Sequence, residues 1–354
     1  HRDLHSFPTR RSSDLLINSF KTLTNDDSAN VRILTIESLV DLAKNLNDEE
    51  NKTHMIPIII KLTSDKSWRV KYNLARHFSS IAKAVGREVT DSLVSIFSSL
   101  LRDPEGEVRI SAVKALKDFV HLLKHERVNS VLAYLQTLAK DSVNLVRVSV
   151  GNVIQTILTM KLPTMKISVK DSIGGRIHSI LMEQIMDADL EVKLEAMDVL
   201  AKWGALVPLS DVQKTIKECQ NYLVPANNWR LRWKVIQAMM QLACIYKDSA
   251  VFNKHFKEIF IKGLKDPAFT VRSTTIDFIP KFPGFLNDNF LLTYLGVEVL
   301  QIIDDPKKHN YMLRISSIYG IGKLHETMKD EGPINQLILN QILPLLDSEI
   351  ANVR

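Results

Sequence analysis

The sequence predicts an all-α solenoid, about nine antiparallel helix pairs stacked in a right-handed superhelix, and three observations predict it. First, a Val or Leu is followed at once by Arg or Lys at Val31, Val70, Val108, Val146, Val192, Leu231, Val271, Leu313 and Val353. The spacings are 39, 38, 38, 46, 39, 40, 42 and 40 residues, a period that marks repeats stacked on one another. Second, an apolar template recurs at fixed distances after each of these anchors. Third, the alternating pattern of strands is absent, and 12 Gly in 354 residues are too few for a fold built on many tight turns.

The template justifies the second helix of each pair. Eight positions after the anchor stand Leu39, Phe78, Leu116, Ile154, Leu200, Met239, Ile279 and Ile321. Eleven after it stand Leu42, Ile81, Phe119, Ile157, Trp203, Leu242, Phe282 and Leu324. Position fifteen is apolar in seven of eight repeats, with Lys161 the exception. Steps of 8, 3 and 4 place these side chains on one face of a helix, so each anchor opens a helix of roughly 16 residues. Position four is small or polar in several repeats (Thr35, Ala112, Ala196, Thr275, Ser317), which suits close approach of a neighbouring helix.

The first helix of each pair is read from apolar stretches upstream of the anchors, such as 54–62 and 94–101. Pro57 and Pro344 fall within such stretches, where Pro kinks a helix or sits in its first turn. Between the two helices lies a short polar turn. An Asp stands five residues before the anchor in six of nine repeats: Asp26, Asp65, Asp103, Asp141, Asp187 and Asp266. Asp suits that place because its carboxylate accepts backbone N–H groups near a helix start. The Arg after the anchor is expected to bond the turn Asp of its own or a neighbouring repeat, forming a ladder.

The repeat replaces the length-based expectation of two or three domains by one continuous array over residues 16–354. Forty-six basic against 40 acidic residues give a net charge of +6, with no run of basic residues, and this argues against nucleic acid as a partner. Cys219 and Cys244 cannot form a disulfide framework, which points to a reducing, cytoplasmic compartment, with nuclear residence also compatible. The longest strongly apolar run, 55–60, is too short to cross a bilayer, so no membrane is expected.

The first fifteen residues stand outside the pattern. Residues 5–15 (HSFPTRRSSDL) back-translate to a string that looks like a sequencing-library adapter, so residues 1–15 are expected to be non-native. Without their three Arg and two Asp the net charge falls from +6 to +5. The array is expected to be truncated at both ends, because the first repeat begins near Leu16 with no polar cap and the ninth is half-built where Arg354 opens its second helix.

No catalytic constellation emerges, and neither a metal site nor a cofactor is expected. His121 and His125 are four apart, but HLLKH has no Glu beside the first His and no third ligand at a recognisable spacing. The glycines of YGIGKLH lie within a second helix with no phosphate-loop continuation, and Asn51-Lys52-Thr53 is a glycosylation sequon by letters only. More telling is the position two before the anchor. It is aromatic in four repeats (Trp68, Trp229, Phe269, Tyr311) and Ala29, Gly106, Asn144, Leu190 or Ala351 elsewhere. A core position is apolar in every repeat, whereas one that is aromatic only in some reads as a partner contact.

The unit of Asp, then Val-Arg, then a long helix resembles the HEAT repeat. Four segments in order, DKSWRVKYNLARHF, DPEGEVRISAVKALKDF, NWRLRWKVIQAMMQLA and YMLRISSIYGIGKLHE, are similar to the scaffold (A, 65 kDa regulatory) subunits of protein phosphatase 2A. That family is a fifteen-repeat horseshoe, and this chain looks like its sixth to fourteenth repeats. The resemblance implies a non-catalytic scaffold holding the phosphatase catalytic subunit on later turns and exchangeable regulatory B subunits on earlier ones. Carried over by motif, Trp229, Arg230, Arg232, Phe269, Arg272, Tyr311 and Arg314 would face the catalytic subunit, and Trp68 and Arg69 the regulatory subunit. Two departures stand out: PANNWRLR lacks the turn Asp, and about seven extra residues near 165–175 imply a lengthened loop. A nuclear-transport receptor of the HEAT type, binding cargo and a small GTPase, is the alternative. A HEAT-like lyase would need a catalytic pocket that the sequence does not show.

Overall fold

The computed structural model describes residues 10–160, 167–292, 311–328 and 331–343. The anchor pair Val353-Arg354, Pro344, Lys161 and most of the amino-terminal segment lie outside these residues. Within them every regular element is helical, and none is long and apolar enough to cross a membrane. The chain divides into two units at Val192/Lys193.

In the first unit the helices are α1 (Arg10–Leu23), α2 (Ala29–Lys44), α3 (Asp48–Glu50), α4 (Ile56–Thr63), α5 (Trp68–Ala84), α6 (Arg87–Leu101), α7 (Gly106–Leu122), α8 (His125–Leu138), α9 (Asn144–Met160) and α10 (Ser172–Ile185). They make two layers. Second helices α2, α5, α7 and α9 pack side by side, and first helices α4, α6, α8 and α10 pack likewise behind them. The second unit carries α11 (Leu190–Gly204) from Lys193 on, then α12 (Leu209–Gln220), α13 (Trp229–Tyr246), α14 (Ser249–Val251), α15 (Lys257–Leu264) and α16 (Phe269–Ile276). There α13 packs on α16, and α16 on the helix Tyr311–Thr327.

The template residues build the core between the layers. Every residue at position eight is at most 1% exposed, and those at eleven range from 0 to 6%. Phe78, Phe97 and Phe119 from three helices meet with ring centroids 4.4–5.4 Å apart, and Phe252, Phe260 and Phe282 form a similar cluster in the second unit. Such contacts add to the area-driven burial of large rings. The small residues at position four (Thr35, Ala112, Ala196, Thr275, Ser317) are all buried, as close helix approach requires. At Gly263 on α15 an added Cβ would collide with Thr275 Oγ1 and lie 2.9 Å from Ile236 Cδ1. Gly263→Ala is therefore expected to destabilise the second unit by about 1–3 kcal/mol in a urea titration.

Two local departures have physical causes. The seventh repeat lacks a continuous 16-residue second helix: α16 ends at Ile276 and a 3-10 turn spans Ile279–Gly284. Pro280 and Pro283 supply no N–H for α-helical bonds. The tighter turn still places Ile279 and Phe282 in the core, both 0% exposed. In the second repeat a π turn at Asn51–Met55 precedes Pro57, which sits in the first turn of α4. The wider turn accommodates the missing N–H and the proline ring. Asn51 is 2% exposed, and its Nδ2 donates to the carbonyls of Ala43 and Leu46, closing the end of α2. The sequon's Asn51 is thus a buried structural residue. The inserted loop lies partly outside the described residues, and 167–171 rest on the start of α10, where a Cβ at Gly174 would meet Ile167 Cγ2 at 2.9 Å.

Candidate partner-binding edge

The edge is built from the turns that join first to second helices. In each Asp-containing turn one carboxylate oxygen accepts the N–H two residues on: Asp26 from Ser28, Asp65 from Ser67, Asp103 from Glu105, Asp141 from Val143, Asp187 from Asp189 and Asp266 from Ala268, at 2.8–3.0 Å. Each Asp therefore fixes its loop rather than capping the helix directly. The basic residue after the anchor reaches forward to the Asp of the next repeat. Arg32 grips Asp65, Arg109 grips Asp141, Arg147 grips Asp187 and Arg232 grips Asp266 through paired bonds of 2.6–2.9 Å, and Lys71 meets Asp103 at 2.5 Å. The same guanidinium groups also donate to carbonyls of their own turn, such as Asp26, Asp103 and Asp141. The planar fork satisfies both tasks at once, which a lysine cannot.

Burial alone would raise the pKa of Asp65 and of Asp141. The arginine hydrogen bonds, the backbone N–H and nearby positive charge overcome it and hold both below the ordinary carboxylate range. The rung is interrupted in the sixth repeat, where Ala226 stands at the Asp position. Lys193 instead lies over the Tyr222 ring, 5.2 Å from its centroid, and Asn228 takes over the loop bond by accepting from Arg230 N–H at 2.9 Å. Restoring the rung with Lys193→Arg and Ala226→Asp together is expected to stabilise the second unit by about 1 kcal/mol, read as a higher urea midpoint.

The position two before the anchor turns out to be the first residue of every described second helix: Ala29, Trp68, Gly106, Asn144, Leu190, Trp229, Phe269 and Tyr311. A side chain there projects beside the turn, outside both layers. Trp68 is 38% exposed, Trp229 46%, Phe269 54% and Tyr311 37%. Trp229, Phe269 and Tyr311 open helices that pack side by side within the second unit, so they form one exposed aromatic row. In the first unit Trp68 carries the Arg69 guanidinium over its ring at 5.2 Å and meets Tyr72 edge-on. At Gly106 an added Cβ would lie 3.0 Å from Val143 Cγ2, so a larger side chain there requires Val143 to shift.

The arginines expected at the same edge divide. Arg69 and Arg230 are exposed, and Arg314 is half-buried. Arg232 and Arg272 need correction. They are 4% and 1% exposed, with Arg232 saturated by Asp266 and turn carbonyls. Arg272 donates to Ser316 Oγ and to the carbonyls of Asp266 and Pro267. Burial pushes the Arg272 pKa down, only partly countered by Asp266. These two shape the turns and offer no donor face to a partner. Sequence reasoning also missed Tyr319, 44% exposed, whose hydroxyl donates to Asp277 Oδ1 at 3.0 Å. The same signal was available, because position six after the anchor is polar in every other described repeat (Glu37, Arg76, Lys114, Asn152, Asp198, Gln237, Asp277).

His121 lies in the last turn of α7 and His125 opens α8, so no single helix presents the pair. Among the described residues no group of three or more His, Cys, Asp or Glu could hold a metal. Cys219 is buried and its thiol is pushed up to about 12 by that burial, so it is inert. Among the described residues, three cavities lie between successive repeats of the first unit and are lined by its turns.

Comparison with known proteins bears on this edge. A family model described as the HEAT repeat associated with sister chromatid cohesion matches residues 250–279. Another, the middle domain of PIK3R4-like proteins, matches residues 6–126. The regulatory A subunit of protein phosphatase PP2A from Schizosaccharomyces pombe is 38% identical over 74 residues, covering 21% of this chain and 12% of that protein. Over these stretches the chain is similar to the phosphatase 2A regulatory A subunits, and its repeats are of the HEAT type. The human beta isoform of the 65 kDa regulatory A subunit of serine/threonine-protein phosphatase 2A is 30% identical over 106 residues, covering 28% of this chain and 18% of that one. The matched stretches thus span less than a fifth of either relative. Among solved structures, Kap121p bound to Nup53p has a TM-score of 0.69 at 14% identity, covering all of this chain and 37% of that one. A Kap95p complex with RanGDP has a TM-score of 0.63 at 15% identity, covering 94% of this chain and 43% of that one. At these identities the structures establish the HEAT-type fold alone.

Proposed function

We propose that this HEAT-repeat chain is a non-catalytic scaffold of a serine/threonine phosphatase 2A assembly. One observation carries the reading: adjacent second helices open on exposed aromatic side chains, in a chain whose named relatives are regulatory A subunits. Trp229, Arg230, Phe269, Tyr311 and Arg314 would receive the catalytic subunit, and Trp68 with Arg69 an exchangeable regulatory B subunit. Trp, Tyr and Arg are the residues that most often dominate interface energy. The ladder would hold successive turns in register, so that rings on different repeats meet one rigid partner surface together. The place of action is proposed to be the cytoplasm, and also the nucleus.

The test is co-purification of the chain with a phosphatase 2A catalytic subunit, and separately with a B subunit. At micromolar concentration the catalytic subunit is expected to be retained. Failure to retain it, with capture of a small GTPase in its GTP form instead, would replace this reading by the nuclear-transport alternative.

A further inference from the structure

The groove between the third and fourth repeats has a cavity of about 560 Å3, within the range of ligand sites. Leu101, Tyr134, Thr137 and Leu138 wall it, with Arg102 and Lys140 at its polar side. Arg102 differs from every ladder arginine. It is exposed, its Nε donates to the Ser98 carbonyl at 3.2 Å, and a terminal nitrogen donates to Ser98 Oγ at 2.9 Å. Its guanidinium is stacked 5.5 Å from the Tyr134 ring centroid, yet no carboxylate among the described residues pairs with it.

The acids at the floor of the groove are already engaged, Asp103 by Lys71 and Asp141 by Arg109. Lys140 pairs with Glu183 at 3.3 Å, but both side chains are largely exposed (66% and 44%), so that pair exchanges readily with another anion. The position just before the turn Asp is Asn25, Ser64, Arg102, Lys140 and Met186 in the first five repeats. Among these five, the third and fourth are the consecutive repeats that both carry a cation there, and Arg102 and Lys140 line the same groove. The groove therefore combines an apolar wall with a pre-oriented guanidinium that no carboxylate among the described residues pairs with.

We propose that this groove docks a short acidic peptide segment. One apolar or aromatic side chain would enter against Leu101, Tyr134 and Leu138, a neighbouring carboxylate would pair with the Arg102 fork, and a second would face Lys140. Charge complementarity selects this occupant. A nucleic-acid backbone is disfavoured, since it needs a run of cations and the floor carries two carboxylates. The site is independent of the phosphatase reading and is tested without any phosphatase subunit.

The probe is a fluorescein-labelled decapeptide alternating Glu with Leu and Phe, titrated by anisotropy against the full chain. Saturable binding is expected. Arg102→Glu should weaken it about tenfold or more, since a charge-assisted pair is lost and a repulsion gained. Thr137→Trp, which fills the groove from an exposed position, should abolish binding while leaving the thermal midpoint unchanged. Equal binding of an all-Glu peptide would overturn the apolar half of the site. Undiminished binding to both variants, or none at ~1 mM chain, would overturn the site itself.

Discussion

Asp266→Ala is expected to destabilise the second unit by roughly 3 kcal/mol or more in equilibrium denaturation. The cost arises because Arg232, 4% exposed, stays charged and buried when its paired acceptor is removed. The loop loses its Ala268 N–H bond in the same step. Asp266→Asn should cost less, since one amide oxygen still accepts from the loop or from Arg232. A loss below about 1 kcal/mol for the alanine variant would mean that the ladder is ornamental. The same physics sets a pH dependence in the first unit. Asp65 and Asp141 have lowered pKa values when folded, so the unfolded chain binds more protons below the ordinary carboxylate pKa. Their contribution is complete above about pH 5 and is lost as pH falls below about 4 through the lowered values. Asp65→Asn with Asp141→Asn should flatten that acid limb of the stability profile.

Trp229→Ala and Phe269→Ala are each expected to weaken catalytic-subunit binding by about 30-fold, the effect of removing an interface hot spot worth ~2 kcal/mol. Folding stability should change by less than about 0.5 kcal/mol, because both rings lie half outside the core, at 46% and 54% exposure. Arg232→Ala should do the reverse, lowering stability strongly and affinity only through the displaced turn. Isothermal titration beside urea denaturation separates the two patterns. Unchanged affinity for both aromatic variants would remove the aromatic row from the proposed interface while leaving the fold untouched.

The all-helical repeat was legible in the sequence because helical periodicity is local: eight, three and four residues on, the same face returns whatever the neighbours do. Leu39, Phe78 and Trp203 could be placed in the core before any packing was known, and each is 0% exposed. The aromatic row was legible for a related reason. A position that changes chemistry between repeats is not held by a common core, and Trp229, Phe269 and Tyr311 are exposed accordingly. What only the tertiary structure decided is which repeat each arginine serves. Asp26 lies six residues from Arg32 and Asp65 lies 33 away, and spacing alone left both open. Packing of successive second helices brings the far carboxylate to the guanidinium fork and leaves the near turn only its carbonyls. That choice also buried Arg232, and packing against the next second helix buried Arg272 on Ser316, taking both out of the partner face that their motif suggested; Arg102, one residue before the turn Asp, lies outside the ladder and pairs with no carboxylate among the described residues.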